Sequence, residues 1–582
     1  MLFATLLQRL RRRPRITGRA PRKRPPSFKP RLESLEDRLT PSTLSAASVS
    51  DLVADINAAN LNNGATTIVL APKTTFALTT VDNTTDGGNG LPVIANKTNL
   101  TVLGNGDTIE RSTALGTQAF RLFDVAGGGS LTLKNLTLQN GLASAGGSGG
   151  AILNQNTLSL YQVTVQNNSA DFGGGIENLG NLSVASSILS GNSAQEGGAI
   201  DNEGGASVDV EQSLVTGNSV FDSGGGIFTG GQLKIDQSTL SNNSAGAFGG
   251  GGIFSSLGGT VTISRSTLSG NSADSGGGGA ILSLGGAFLN TNNSLTVDDC
   301  TLSGNSAEDG GAITNNGSLT IDDSTLSGNS ASLAGGGAID VNGTARIEQC
   351  TFSGNSDFGF GGGAILNEGS ALSVNQSSFS DNSTQGGPGG AIANLGATVT
   401  INQCTLSDNS ADGGGGGIWN FGSLTLNQCT LCGNSAGAFS PFILPGGGGI
   451  WNFGSLTINQ CTLSDNSTDT FGGGIANIGS ATIQNSLLCG NSASDGGGIF
   501  NGGTLTIGNS LLSNNSASAG GGIYNDDGTL TFGLYGTLTI EQSTVCGNSA
   551  PLGADLYNAG TATLVGSDVC IIVGNGPLTI KG

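Results

Sequence analysis

The sequence contains no histidine. That removes Ser-His-Asp and Cys-His nucleophilic chemistry, histidine-ligated zinc and imidazole acid–base catalysis together. Methionine occurs once, proline 13 times, and only 11% of residues are charged, so neither a helical bundle nor a charge-rich disordered chain fits. No apolar run reaches the roughly 18 residues that span a bilayer as a helix. The opening MLFATLL, followed by Arg9 and Arg11 to Arg13, is shorter than a standard signal core, so export is not read from these residues alone. Nine cysteines, an odd number, do not read as a disulfide framework in 582 residues.

Glycine, at 102 residues, is what the chain has in excess, and without a Gly-X-Y period this excludes collagen. The formal charge of −20 joins two opposed regions: residues 1–43 carry +9 and the rest −29. The acidic body is a poor partner for nucleic-acid phosphates.

An internal repeat then decides the architecture. The tripeptide x-Asn-Ser, usually within TLSGNSA, recurs fifteen times from Asn168 to Asn548, mostly 24–28 residues apart, with longer gaps of 34, 32 and 33. Three residues before each of these asparagines stands Leu, Val or Phe, as at Val165, Leu240, Phe352, Leu406 and Val545, and this column must face inward. Each repeat also holds a G-G-[AG]-I step, as at Ile152, Ile200, Ile313 and Ile365, and an alternating L-T-I step, as at Leu319 to Ile321. Period-two alternation means strands. Strands this short, separated by Gly/Asn turns, fit neither a leucine-rich horseshoe nor a propeller blade. They specify an all-β fold: a single-chain right-handed parallel β-helix with three short strands per ~25-residue coil, rising about 4.8 Å per coil into a rod of roughly 80–100 Å. A second asparagine column follows the isoleucines by two residues, as at Asn154, Asn202 and Asn420. Stacked amides there can hydrogen-bond along the rod.

The domain reading is a basic export-associated segment at 1–43, a cap at 44–90 and the β-helix at 91–582. Within the cap, residues 50–60 carry a serine cap at Ser50 and apolar residues at helical spacing, a short helix suited to covering the open end of the solenoid.

These motifs resemble those of right-handed parallel β-helix proteins of the pectin-lyase-like superfamily, specifically those with polymorphic outer membrane protein repeats. The paired tetrapeptides of such repeats stand at Gly311-Ala312-Ile313 and Gly390-Ala391-Ile392, and at Phe352-Ser353-Gly354-Asn355 and Phe379-Ser380-Asp381-Asn382. The RLESLEDRL block at 31–39 is similar to an N-terminal segment on large surface or secreted planctomycete proteins. The resemblance implies an extracellular or outer-membrane-associated passenger-like rod, commonly an adhesin, whose partner is a cell-surface or extracellular glycan or protein. Autotransporter members end in a membrane barrel, whereas this chain is still repeating at its last residues, so insertion by that route is not expected.

Two constellations carry candidate chemistry. Asp298, Asp299, Asp322 and Asp323 fall in the same turn of successive coils, beside Glu348, with Arg265 as the nearest basic residue. Such a cluster is a solvated acidic turn, a calcium site built from hard oxygen ligands, or an acid–base pair for glycoside chemistry. No other cofactor is expected. Trp419 with Phe421 and Trp451 with Phe453 occupy matching positions in adjacent coils. Because Ile418 and Ile450 face inward, the tryptophans are expected to point out as a stacked pair, beside the apolar insertion at 438–445 that either covers them or joins them in a binding surface.

Cys300, Cys350, Cys404, Cys429 and Cys461 fill a slot that is serine elsewhere, and read as buried free thiols. The Thr column of T-L-S faces out as a solvated β surface. The leading functional reading is a structural or adhesive rod that binds without catalysis. The alternative is a carbohydrate-active β-helix enzyme of the lyase or glycosidase type.

Overall fold

The structure, a computed structural model, describes residues 42–582 except 63, 257, 286–292, 370, 438–445 and 532. The RLESLEDRL block and the apolar insertion lie outside the described residues. The chain winds as a parallel β-solenoid in which every named strand pairing is parallel and joins one coil to the next. One coil serves for all. An isoleucine strand Ile313–Asn315 leads to a long strand Ser318–Asp322, a short strand Thr325–Ser327 and a serine bridge Ser330–Ala331. The three strands expected per coil are present, and the two-residue bridge is a fourth segment with a sheet of its own.

Long and short strands belong to one sheet that bends between them. At the bend the residue has φ near +50°, and the column there reads Gln212, Gln237, Arg265, Asp299, Asp323, Gln349 and onward to Gln542. This extra residue shifts the alternation by one, so two outward side chains precede an inward Ser or Cys. The residue before each asparagine of the tripeptide also has positive φ, and it is Gly, Asp or Asn in every coil. These are the residue types that tolerate the left-handed region. The motif GNS is therefore a conformational requirement read out as sequence.

The two glycines ahead of the isoleucine have separate reasons. Gly310 has φ +59°, and a Cβ on it would stand 2.3 Å from the Ile313 carbonyl oxygen. A Cβ on Gly311 would stand 2.2 Å from the Gly337 oxygen of the next coil, so only glycine lets the coils close.

The inward column is fully buried at Val165, Leu240, Phe352, Leu406 and Val545, as are the isoleucines, giving one continuous aliphatic stack. Beside it run the asparagines of the tripeptide, buried from Asn168 to Asn515. Each side-chain NH₂ donates to the Oδ1 of the next asparagine along the rod at 2.8–3.0 Å. The same NH₂ donates backwards to the carbonyl of the inward column, as Asn355 does to Leu326 at 2.9 Å. Every rung is thus saturated, the condition under which a buried polar group costs nothing to keep. The ladder ends on Asp555, whose Oδ1 accepts from the backbone and side chain of Asn548.

The second asparagine column bonds without a break from Asn154 to Asn202 and again from Asn367 to Asn558. Val341 occupies the preceding rung, and the Asn367 Oδ1 is left without a donor.

Three expectations need correction. The helix spans Val49–Leu61 and its cap is Ser48, whose Oγ accepts from the Asp51 amide; Ser50 lies inside the first turn. Leu52, Ile56 and Ala59 bury its inner face. The solenoid does not begin at residue 91: Ser42–Ala46 pairs with Ala65–Leu70, which pairs with Asn99–Arg111, so the helix is inserted between the first two rungs of the large sheet. The cysteines include one disulfide, Cys546–Cys570, with Cα atoms 5.2 Å apart. Cys300, Cys350, Cys404, Cys429 and Cys461 are buried and free, as expected, and their thiols take the place of serine hydroxyls in a third ladder, as where the Ser377 amide donates to the Cys404 sulfur.

Candidate functional site

The acidic turn is assembled as the alignment required: Asp298 lies beside Asp322, and Asp322 beside Glu348, in register on adjacent long strands. Asp299 and Asp323 are the left-handed bend residues of their coils, which gives aspartate a conformational reason to be there. What the sequence reading missed is Arg346. It sits two residues before Glu348 on the same outer face, and its guanidinium bonds Asp322 at 2.8 Å and also reaches Glu348. Arg265 turns the other way, to Asp236 one coil back. Among the described residues no three His, Cys, Asp or Glu side chains converge on a point that would hold a metal ion. The cluster is a surface ion-pair network, of the kind worth little stability in water.

The aromatic pair departs further from expectation. Trp419 and Trp451 are in register on the outer face of the isoleucine strands, but Trp451 is only 5% exposed. The rings that stack on each other are Phe421 and Phe453, with centroids 4.4 Å apart. Each tryptophan packs against the phenylalanine of its own coil, at 4.6 and 4.7 Å. Outward-pointing does not mean exposed here, because the glycine-rich turn passes over this face. A Cβ on Gly414 would lie 2.6 Å from the Trp451 ring. The exposed member of the group is Phe421, at 46%.

The same covered lane holds groups that the sequence reading passed over. In the first part of the solenoid four of the middle residues of the isoleucine strand are carboxylates, Asp124, Glu177, Asp201 and Asp340, all buried, among rungs that carry Leu153, Phe228 and Phe254. Glu177 and Asp201 are partners on adjacent rungs, and Glu177 Oε2 and Asp201 Oδ1 have no hydrogen-bond partner. Burial first, then repulsion from neighbouring carboxylates (Asp201 and Glu203 for Glu177, Glu203 and Glu196 for Asp201), raises both well above the usual carboxylate range. Burial likewise raises Asp124 to about 6 and Asp340 to about 7. Arg121, itself buried, stands 3.9 Å from Asp124 and is held by Asn89 and the Ser148 carbonyl. Paired acids with raised pKa are the raw material of acid–base catalysis. These are 5% exposed or less and lie under the turn, so their oxygens do not face a surface that a polymer can reach.

The accessible feature is a shallow groove of about 740 Å³ on the large sheet. One wall is the bend column, including Gln460, Asn485, Asn509 and Gln542; the other is the outward column of the short strands, including Leu487 and Leu511. The small inward residues Cys461, Ser486 and Ser510 form its floor.

No helix among the described residues is long and apolar enough to cross a membrane. Residues 283–436 match the family model described as a right handed beta helix region, about a quarter of the chain and in agreement with the solenoid geometry. A search of the curated proteins found no match.

Proposed function

We propose that this chain is a secreted or cell-surface rod that attaches to a surface glycan or protein without catalysing a reaction on it. The observation that carries the reading is repetition on the outside of the solenoid. Thr301, Thr325, Thr351, Ser378, Thr405 and Thr430 stand at the same outward position in successive coils. A surface that repeats one short polar pattern at every coil offers many equivalent weak contacts, which add through avidity. A catalytic constellation, by contrast, is built once.

Three further points support the reading. The Cys546–Cys570 disulfide belongs to oxidising surroundings such as the cell exterior. The tetrapeptides resemble the repeats of polymorphic outer membrane proteins, whose members are surface passengers. The RLESLEDRL block resembles a segment of exported proteins. The pectin-lyase-like likeness also admits a carbohydrate-active enzyme, since fold alone does not decide function.

One experiment separates the two. The full chain is sedimented with cell-wall preparations and with acidic and neutral polysaccharides, and the supernatants are assayed for new reducing ends and unsaturated products. Attachment with no product above background is expected. Product release from any polymer would replace the adhesive reading with the enzymatic one.

A further inference from the structure

We infer that a neutral, extended polysaccharide binds lengthwise in the groove of the large sheet, over the coils that carry Gln460, Asn485, Asn509 and Gln542. The inference rests on the surface-binding reading and names its ligand and its site.

Charge is the first argument. The body of the chain is strongly acidic, yet no residue lining this groove is ionisable except the buried thiol of Cys461. An acidic polymer would be repelled by the rod around it and would find no cation in the groove, and a basic polymer would find no carboxylate there. The amides are the second. A carboxamide presents donors and an acceptor side by side, the complement of vicinal hydroxyls. Gln428 donates to Gln460 at 3.2 Å and Asn485 to Asn459 at 3.2 Å, but the side chains of Asn509 and Gln542 make no hydrogen bond among the described residues. Their groups are open to a ligand.

The third argument is a local break in the repeat. The outward position of the short strand is Thr or Ser in the coils from Thr239 to Thr462, then becomes Leu487 and Leu511, and returns to Thr544. Leu511 is 42% exposed. The exposed Leu511 and the half-buried Leu487 beside open amides give the mixed apolar and polar lining that holds a pyranose, its C–H face on the leucines and its hydroxyls on the amides. Coils about 4.8 Å apart match the advance of an extended glycan by one sugar, so successive residues of the polymer meet successive coils.

The test uses the full chain and three soluble polymers: hydroxyethylcellulose as the neutral probe, polygalacturonate as the acidic one and chitosan as the basic one, compared by affinity electrophoresis. Asn509→Gly with Gln542→Gly removes the open amides at left-handed positions where glycine is unstrained. Leu511→Thr restores the repeat. Gln349→Gly with Gln376→Gly, at left-handed positions of the same column beside Thr351 and Ser378, is the control. Retardation by the neutral polymer is expected to weaken at least about tenfold in the double variant and severalfold in Leu511→Thr, with unchanged melting and no change in the control. Equal retardation of wild type and double variant, or preference for polygalacturonate or chitosan, would overturn the site. If wild type binds cell-wall preparations but not hydroxyethylcellulose, the ligand class is wrong and the surface reading stands. If it binds neither, both fall.

Discussion

The middle residue of the isoleucine strand occupies one geometric position in 18 rungs among the described residues; within that column carboxylates stop at Asp340, whereas the longest series of rings lies beyond it. Toward the N-terminus it is a carboxylate at Asp124, Glu177, Asp201 and Asp340, with Leu153, the stacked Phe228 and Phe254, Leu282 and Thr314 between them. Toward the C-terminus it is a ring, at Trp419, Trp451, Phe500, Tyr524 and Tyr557, with Phe500, Tyr524 and Tyr557 stacked at 5.4 and 4.8 Å. Stacking makes identical neighbours an advantage for rings and a liability for acids, since like charges on adjacent rungs repel. Burial shifts the acids toward their protonated form, which lowers the repulsion between them, whereas the rings are held by contact. A parallel stack therefore multiplies whatever sign of interaction its repeated side chain has with itself.

The harshest way to break this contrast is to move acid into the aromatic half. Phe500→Asp removes a ring that is 1% exposed and packed between Phe471 and Tyr524, and leaves a buried carboxylate in its place. A local loss of roughly 4 kcal/mol or more is expected. It should appear as faster amide exchange in the coils around residue 500, because stability in a repeat array is a sum of neighbour terms. Exchange no faster than wild type would mean that the position is indifferent to its occupant.

A smaller effect comes from pH. Asp340 is raised from 3.8 to about 7 and Asp124 to about 6, both first by burial, and Glu177 and Asp201 shift in the same direction. Between the unfolded and folded values the native state binds more protons, so stability is greatest near pH 4 and falls as pH rises toward 7. The slope approaches about 1.4 kcal/mol per pH unit for each carboxylate fully within its window. Exchange in coils 120–205 should therefore slow from pH 7 to pH 5, after correction for intrinsic rates, while coils 375–435, which hold no carboxylate raised by burial among the described residues, change less. A uniform response would dissolve the distinction between the halves.

Glu177→Gln sharpens the same point at lower cost. The amide keeps the shape and removes one titrating partner from Asp201, so the pH dependence of the N-terminal coils should flatten and their stability at pH 8 should rise by about 1 kcal/mol or more. An unchanged pH profile would show that the Glu177–Asp201 pair is not its source. The smallest effect is expected from calcium. With Asp322 engaged by Arg346, millimolar calcium should leave the melting temperature unmoved, and a rise of several degrees would restore the metal reading of Asp298, Asp299, Asp322 and Asp323.

How much of this was legible in the sequence follows from what each residue's neighbours are. The inward column from Val165 to Val545 and the asparagine after it are fixed within one repeat, so periodicity exposed them. The Cys546–Cys570 pair was hidden by an odd count, although its separation of 24 equals one coil and offered a signal. Arg346 was hidden because its partners lie one coil back and two residues on, a relation visible only after the strands are placed in register. The acids of the isoleucine strand were passed over, and its tryptophans taken as a stacked pair, for a different reason. Alternation correctly turned them away from the core, but the glycine turn that covers them is itself featureless, and no pattern in glycine announces what it packs against.

The buried asparagine ladder has a consequence for how such a molecule changes over generations. Every rung receives from one neighbour and gives to the other in the same way, so duplicating a coil adds a rung with no unmatched group, and deleting one leaves none behind. Copy number is then nearly neutral to folding and free to be selected for reach. Asp555 is the exception, an acceptor that donates nothing onward: its carboxylate takes the Asn548 amide on one oxygen and the Ile571 amide on the other. Duplications upstream of it lengthen a continuous ladder, whereas a copied coil that includes it would place a terminator mid-rod.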